Sequence, residues 1–142
     1  MNHTISQINR ILERLSQIDY IKPGEIPNIE LYMDQVTTFM DSHLAHSKRY
    51  EDDKILTKTM INNYAKNRLL PPPAKKKYTK DHMFLLIFIY YFKSILSIND
   101  IQSLLTPVCD HYFGSKDGVS LEDVYQEVFS MEKEQLDALV QD

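Results

Sequence analysis

Lys58, Thr59, Asn62, Asn63 and Lys66 fall within one nine-residue stretch, and every one of them carries hydrogen-bond donors. On a helix turning about 100° per residue they share one side, while Thr57, Met60, Ile61, Tyr64 and Ala65 share the other. Asn suits adenine edges and Lys suits guanine edges in the major groove of duplex DNA, so this face has the equipment to read bases. The plainer reading of the same face is an ordinary solvated helix surface.

Further along, Lys75-Lys76-Lys77 follows Pro71-Pro72-Pro73, with Arg68 between the helix and the prolines. A lone Lys triplet is usually a solvated loop. Behind a candidate recognition helix and ahead of a long apolar helix, it stands where a winged helix-turn-helix keeps the wing that touches phosphates. Charge distribution favours this reading. The net charge is -4, yet the 27 positions from Lys54 to Lys80 hold eight Lys/Arg and no Asp or Glu. A polyanion would be drawn to that segment and repelled by the remainder, which sums to -12.

Enzyme chemistry finds less support. The three glycines, Gly24, Gly114 and Gly118, form no phosphate-binding loop, and neither a nucleophile elbow nor a His pair flanking a Glu is present. No enzymatic activity and no cofactor are expected. His43-x-x-His46 and Cys109-x-His111 offer ligand types without the spacing of a zinc site, so no metal is expected either. The histidines read as helix-end or loop residues and Cys109 as a small apolar one. As the single cysteine, it excludes an intrachain disulfide framework.

The elements that would position these residues can be read from periodicity and caps. Thr4 to Ile18 carries Ile5, Ile8, Leu12, Leu15 and Ile18 at helical steps, with Thr4 as N-cap. A second helix is expected from Asn28 to about Leu44, then a polar loop from His46 to Asp53. Thr57 opens the donor-rich helix, which ends near Asn67 before the prolines. Ala74 to Tyr78 is a basic connector, extended or a hairpin tip, and is the only candidate for β structure. Thr79 caps a helix running to about Leu96 that is apolar almost all round. Ser97 with Asp100 opens a short helix through Leu105, and Ser120 with Asp123 opens one from Leu121 to about Met131. A last turn or two covers Lys133 to Val140.

The expectation is an all-α, mainly helical bundle of about six helices in a single domain, 1–142. Its parts are an N-terminal helix and linker (1–28), a winged helix-turn-helix-like core (29–105) and a helical tail (106–142). The longest apolar run, Met83 to Phe92, has ten residues. That is about half of what a membrane span needs, so it reads as a core helix and no membrane partner is expected. Met1-Asn2-His3-Thr4 lacks the pattern of a secretory signal, and a cytoplasmic location is expected.

Met60-Ile61-Asn62-Asn63-Tyr64-Ala65-Lys66-Asn67-Arg68-Leu69-Leu70-Pro71, then Lys77-Tyr78-Thr79, then Leu96-Ser97-Ile98-Asn99-Asp100-Ile101-Gln102-Ser103-Leu104-Leu105, resembles the MerR-type winged helix-turn-helix. That family has a recognition helix ending in a Leu-Leu-Pro turn and a wing closed by Tyr-Ser/Thr. Leu56-Thr57-Lys58-Thr59-Met60-Ile61-Asn62-Asn63-Tyr64, with Tyr32-Met33-Asp34-Gln35-Val36, is more closely similar to a bacterial family called domain of unknown function 1836. This second resemblance spans about Ile29 to Leu105; the MerR-type one spans Leu56 to Leu105.

The MerR resemblance implies base or phosphate contacts from Lys58, Thr59, Asn62, Asn63 and Lys66, and phosphate contacts from Lys75, Lys76 and Lys77. Arg68, in the same basic stretch, completes the candidate DNA-binding set. Tyr64 matches the second of the family's two adjacent tyrosines, while Asn63 replaces the first and Asn62 the Arg before them. The connection before the recognition helix is longer than a tight turn. The tail after Leu105 is too short for the long coiled coil and effector domain of many MerR regulators, so no small-molecule effector is implied.

Sequence-specific binding of double-stranded DNA by a bacterial transcription regulator is therefore expected. A homodimer is suggested by the apolar excess of the helix from Met83 to Leu96 and by the two-fold logic of such regulators. Two alternatives use the same basic stretch: a protein-interaction module docking an acidic partner, and an architectural or phage-type accessory DNA binder.

Overall fold

The computed structural model describes residues 21–44, 56–93, 96–115 and 118–129. The expected helix from Thr4 to Ile18, the loop from His46 to Asp53 and the turns from Lys133 to Val140 lie outside the described residues. A 3-10 turn at Pro23–Glu25 leads to β1 (Leu31–Tyr32) and α1 (Met33–Leu44). Then follow α2 (Lys58–Lys66), β2 (Lys77–Tyr78), α3 (Lys80–Phe92), α4 (Ile98–Tyr112) and α5 (Leu121–Phe129). The protein is mostly helical, as its periodicity predicts.

The strands correct the expectation that β structure is confined to the wing. β1 pairs antiparallel with β2, Leu31 opposite Tyr78 and Tyr32 opposite Lys77, and Ala74 bridges to Lys77. Burial of Leu31 and Tyr78 against the core fixes this pairing, and two residues are too few for alternation to register in sequence. The helix expected from Asn28 therefore begins at Met33, where Val36, Met40 and Leu44 form its buried stripe.

Apolar almost all round, α3 is buried almost all round: from His82 to Phe92 every residue but Tyr90 is buried. It packs against β2, α4 and α5 of its own chain. Within Lys80–Phe92 the apolar excess that suggested a second copy is thus covered internally. Aromatic rings of α3 and α5 meet closely, with Phe84 and Tyr125 centroids 4.7 Å apart and Phe88 and Phe129 centroids 5.3 Å apart. The Tyr125 hydroxyl donates to the Ile21 carbonyl at 2.6 Å, fastening the start of the described chain to α5.

Ser97 caps α4, its Oγ accepting from the Asp100 N–H at 3.1 Å, but α4 runs to Tyr112 rather than stopping near Leu105. Pro107 inside it removes one backbone donor. The helix continues because Val108, Cys109 and Tyr112 still pack against the core. Ser120 and Asp123 cap α5 reciprocally, at 3.0 and 3.1 Å, as their spacing predicts. No helix among the described residues is long and apolar enough to cross a membrane.

Candidate nucleic-acid interface

At the start of α2, Thr57 Oγ1 accepts from the Met60 N–H at 3.1 Å, which supplies one of the partners a helix N-terminus lacks. Ile61 and Tyr64 are buried on the side where α2 packs against α1. This burial turns Lys58, Thr59, Asn62, Asn63 and Lys66 outward, and all five are exposed. The two faces are those that helical arithmetic assigns.

The end of α2 is a Schellman motif. Arg68 N–H donates to the Ala65 carbonyl at 3.2 Å and Leu69 N–H to the Tyr64 carbonyl at 2.8 Å, with Arg68 at φ 63°. Leu69 and Leu70 then plunge into the core, and the three prolines lead out to a hairpin. There Lys77 N–H donates to the Ala74 carbonyl at 3.0 Å, and Lys75 and Lys76 have φ of 52° and 66°. Positive φ at both central residues makes this a type I′ turn, with two exposed lysines at its tip.

The basic residues from 54 to 80 are not equivalent. Lys58 forms an ion pair with Asp34 of α1. The half-buried Lys77 holds its ammonium 5.5 Å from the centroid of the Tyr32 ring, across the two-strand sheet. Lys80 reaches Glu122 at 3.1 Å and Asn28 at 2.9 Å, so it fastens α3 to α5 and to the segment before β1. Lys66, Arg68, Lys75 and Lys76 have no acidic partner among the described residues. Lys54 lies outside the described residues.

Sequence reasoning missed Tyr32, Asp34 and His82. The first two lie more than twenty positions from the cations they meet, and no local pattern announces such pairs. His82 is buried at the base of the hairpin, where its Nδ1 accepts the Thr79 N–H at 3.0 Å and its Nε2 lies 3.1 Å from the Pro71 carbonyl oxygen. Tyr78 and Phe113 meet its ring edge-on, with centroids 5.3 and 4.8 Å away. Burial lowers its pKa below the usual 6.5, against smaller opposing contributions from the Pro72 and Pro71 carbonyls and the Asp81 charge.

The ligand types noted for a metal are dispersed. His43 stacks on Phe39 with centroids 3.9 Å apart, and His46 lies outside the described residues. Cys109 is half-buried, its thiol pushed up to about 11 by burial and, secondarily, by Asp110. Among the described residues no three His, Cys, Asp or Glu cluster as metal ligands do.

Fold and surface define a mainly helical protein with a small antiparallel sheet, in which a basic hairpin follows a donor-rich helix. The chain belongs to the family described as domain of unknown function 1836, whose family model matches residues 21–128. No curated protein and no solved structure matches it.

Proposed function

We propose that this protein binds duplex DNA sequence-specifically, as a bacterial transcription regulator built on a MerR-type winged helix-turn-helix. In this reading α1 and α2 are the two helices, α2 enters the major groove, and the hairpin from Ala74 to Tyr78 is the wing. Asn62 and Asn63 read base edges, with Lys58, Thr59 and Lys66 flanking them. Arg68, Lys75 and Lys76 meet phosphates, and Lys77 supports the wing from its seat beside Tyr32. Two copies on neighbouring half-sites would make the operator a palindrome.

One observation carries the reading. Of the nine Lys/Arg among the described residues seven form no ion pair there, and five of these, Lys66, Arg68, Lys75, Lys76 and Lys77, belong to α2, its C-terminal turn or the hairpin that follows, although the chain outside 54–80 is strongly acidic. A solvated helix face requires no such segregation. The order β1, α1, α2, hairpin, α3, with β1 paired to the returning strand of the hairpin, adds the scaffold that fixes helix and wing relative to one another.

Selection of binding sites from a random duplex pool tests it. The wild-type protein should enrich a palindromic motif, and Asn62→Ala/Asn63→Ala should lose that motif, each lost bidentate contact removing about 1–3 kcal/mol of discrimination. Failure to retain any duplex at low salt would overturn the proposal and leave the basic stretch as a docking surface for an acidic protein.

A further inference from the structure

Five described residues have φ in the left-handed region. Gly114 and Gly118, at 73° and 71°, are glycines, for which that conformation carries no steric penalty. The other three are Arg68, Lys75 and Lys76, at 63°, 52° and 66°. In this region the Cβ of an ordinary residue crowds the following carbonyl oxygen, and long cationic side chains lack the local hydrogen bond that lets Asn or Asp tolerate it. The residue after the cap of a Schellman motif is usually Gly, and the centre of a type I′ turn is usually Asn-Gly. At all three positions the chain carries a cation instead.

All three strained cations are exposed, and none has an acidic partner among the described residues. The segment that separates Arg68 from Lys75 is stiff. Leu69 and Leu70 are buried, Pro71, Pro72 and Pro73 have fixed φ, and the Pro71 carbonyl is bound by His82. Backbone strain kept at three sites that all bear the same charge, joined by a stiff segment, fits a preorganised anion-binding surface.

Building on the DNA-binding reading, we infer that Arg68, Lys75 and Lys76 form a phosphate clamp for the sugar-phosphate backbone of duplex DNA, kept at a cost in stability of the free protein. The clamp is blind to sequence; base choice remains with Asn62 and Asn63. Three phosphate contacts contribute about 2.7 to the slope of log affinity against log salt.

The test compares the full chain with Arg68→Gly, Lys75→Asn/Lys76→Gly and the combined triple variant, together with Lys75→Arg/Lys76→Arg. Thermal unfolding without DNA and the salt dependence of binding to a random-sequence duplex are measured for each. The triple variant should melt higher, by about 2 °C per relieved residue, while its salt slope falls by about 2.7. The arginine variant should keep the wild-type slope. A triple variant with the wild-type slope removes the clamp and leaves the DNA-binding reading standing. One that melts lower also overturns it, because the cations would then be the residues this backbone prefers. If the wild-type chain binds no duplex at low salt, clamp and DNA-binding reading fall together.

Discussion

The Nε2 of His82, in the first turn of α3, lies 3.1 Å from the carbonyl oxygen of Pro71, the residue that follows the buried Leu69-Leu70 pair. Its Nδ1 accepts the backbone N–H of Thr79 at 3.0 Å. An Nδ1 that accepts leaves the ring proton on Nε2, where it donates to Pro71, so the neutral imidazole makes both bonds at once. One buried side chain therefore ties the outgoing and returning ends of the hairpin to the core.

Protonation of Nδ1 abolishes the bond from Thr79 and charges a buried ring. Because burial lowers the folded pKa of His82 below 6.5, the folded state binds this proton less readily than the unfolded state does. Stability is then fully present above about pH 6.5 and declines as pH falls through the lowered value, by about 1.4 kcal/mol for each pH unit between the two. His82→Gln keeps an acceptor for the Thr79 N–H, as Gln does at this position of a capping box. It should lower stability through lost ring packing yet flatten the acid limb of a Tm-against-pH curve. An equally steep limb in the variant would assign the acid sensitivity to other groups.

Asp34 and Lys58 join α1 to the start of α2 through an ion pair whose side chains are 78% and 61% exposed. Such exposed pairs contribute about 0–1 kcal/mol, so Asp34→Asn should leave urea denaturation nearly unchanged. Its effect belongs to binding. Freed from its carboxylate, Lys58 can neutralise one more phosphate, which should tighten binding to random duplex and steepen the salt slope by about 0.9. A weaker complex in fluorescence anisotropy would mean that Asp34 holds Lys58 in its DNA-bound position.

What the sequence discloses here is what local physics decides. Thr57, Thr79, Ser97 and Ser120 each cap a helix within three residues of their partner, and the two faces of α2 follow from turn angle alone. Contacts across the chain leave no such trace. Lys80 meets Glu122, Tyr125 meets Ile21, and Asp34 meets Lys58 only after folding, so the eight cations looked alike in sequence and are not. β1 was hidden by its shortness. α4 runs past its expected end near Leu105 because packing by Tyr112 and its neighbours outweighs the backbone bond that Pro107 lacks.

Thr57 and Thr59 separate stability from recognition. Thr57→Ala removes the oxygen that accepts from the Met60 N–H and should lower stability by about 1 kcal/mol, or about 2–4 °C in Tm. Thr59 is exposed on the donor-rich face, and Thr59→Ala should stay within about 0.5 kcal/mol of wild type. Under the proposed function Thr59→Ala alters the selected DNA motif while leaving thermal unfolding in place. Equal losses in Tm would show that the two hydroxyls both serve the helix.

Tyr125→Phe deletes a buried donor without changing the ring that packs against Phe84, Phe88 and Phe129. The Ile21 carbonyl loses the hydroxyl 2.6 Å away and is left in an apolar setting, which costs about 1–3 kcal/mol. Urea denaturation should show a lower midpoint with an unchanged slope. A neutral result would mean that water reaches the Ile21 carbonyl once the hydroxyl is gone.

Cys109 offers a reporter of the same core from α4. It sits on α4 just after Pro107, half-buried, with its thiol raised from 9.0 to about 11, chiefly by burial and then by the adjacent Asp110 charge. Since the thiolate is the reactive form, a rise of this size cuts the reactive fraction at pH 8 by about 100-fold relative to an unperturbed thiol. Labelling of the native protein by an aromatic disulfide should be slower than labelling in concentrated urea by about that factor. Asp110→Asn should recover only a small part of the difference, because the charge is the lesser cause. Native labelling at the unfolded rate would mean that α4 opens beyond Pro107 on the timescale of the reaction, and that the packing of Val108 and Tyr112 does not hold its last turns closed.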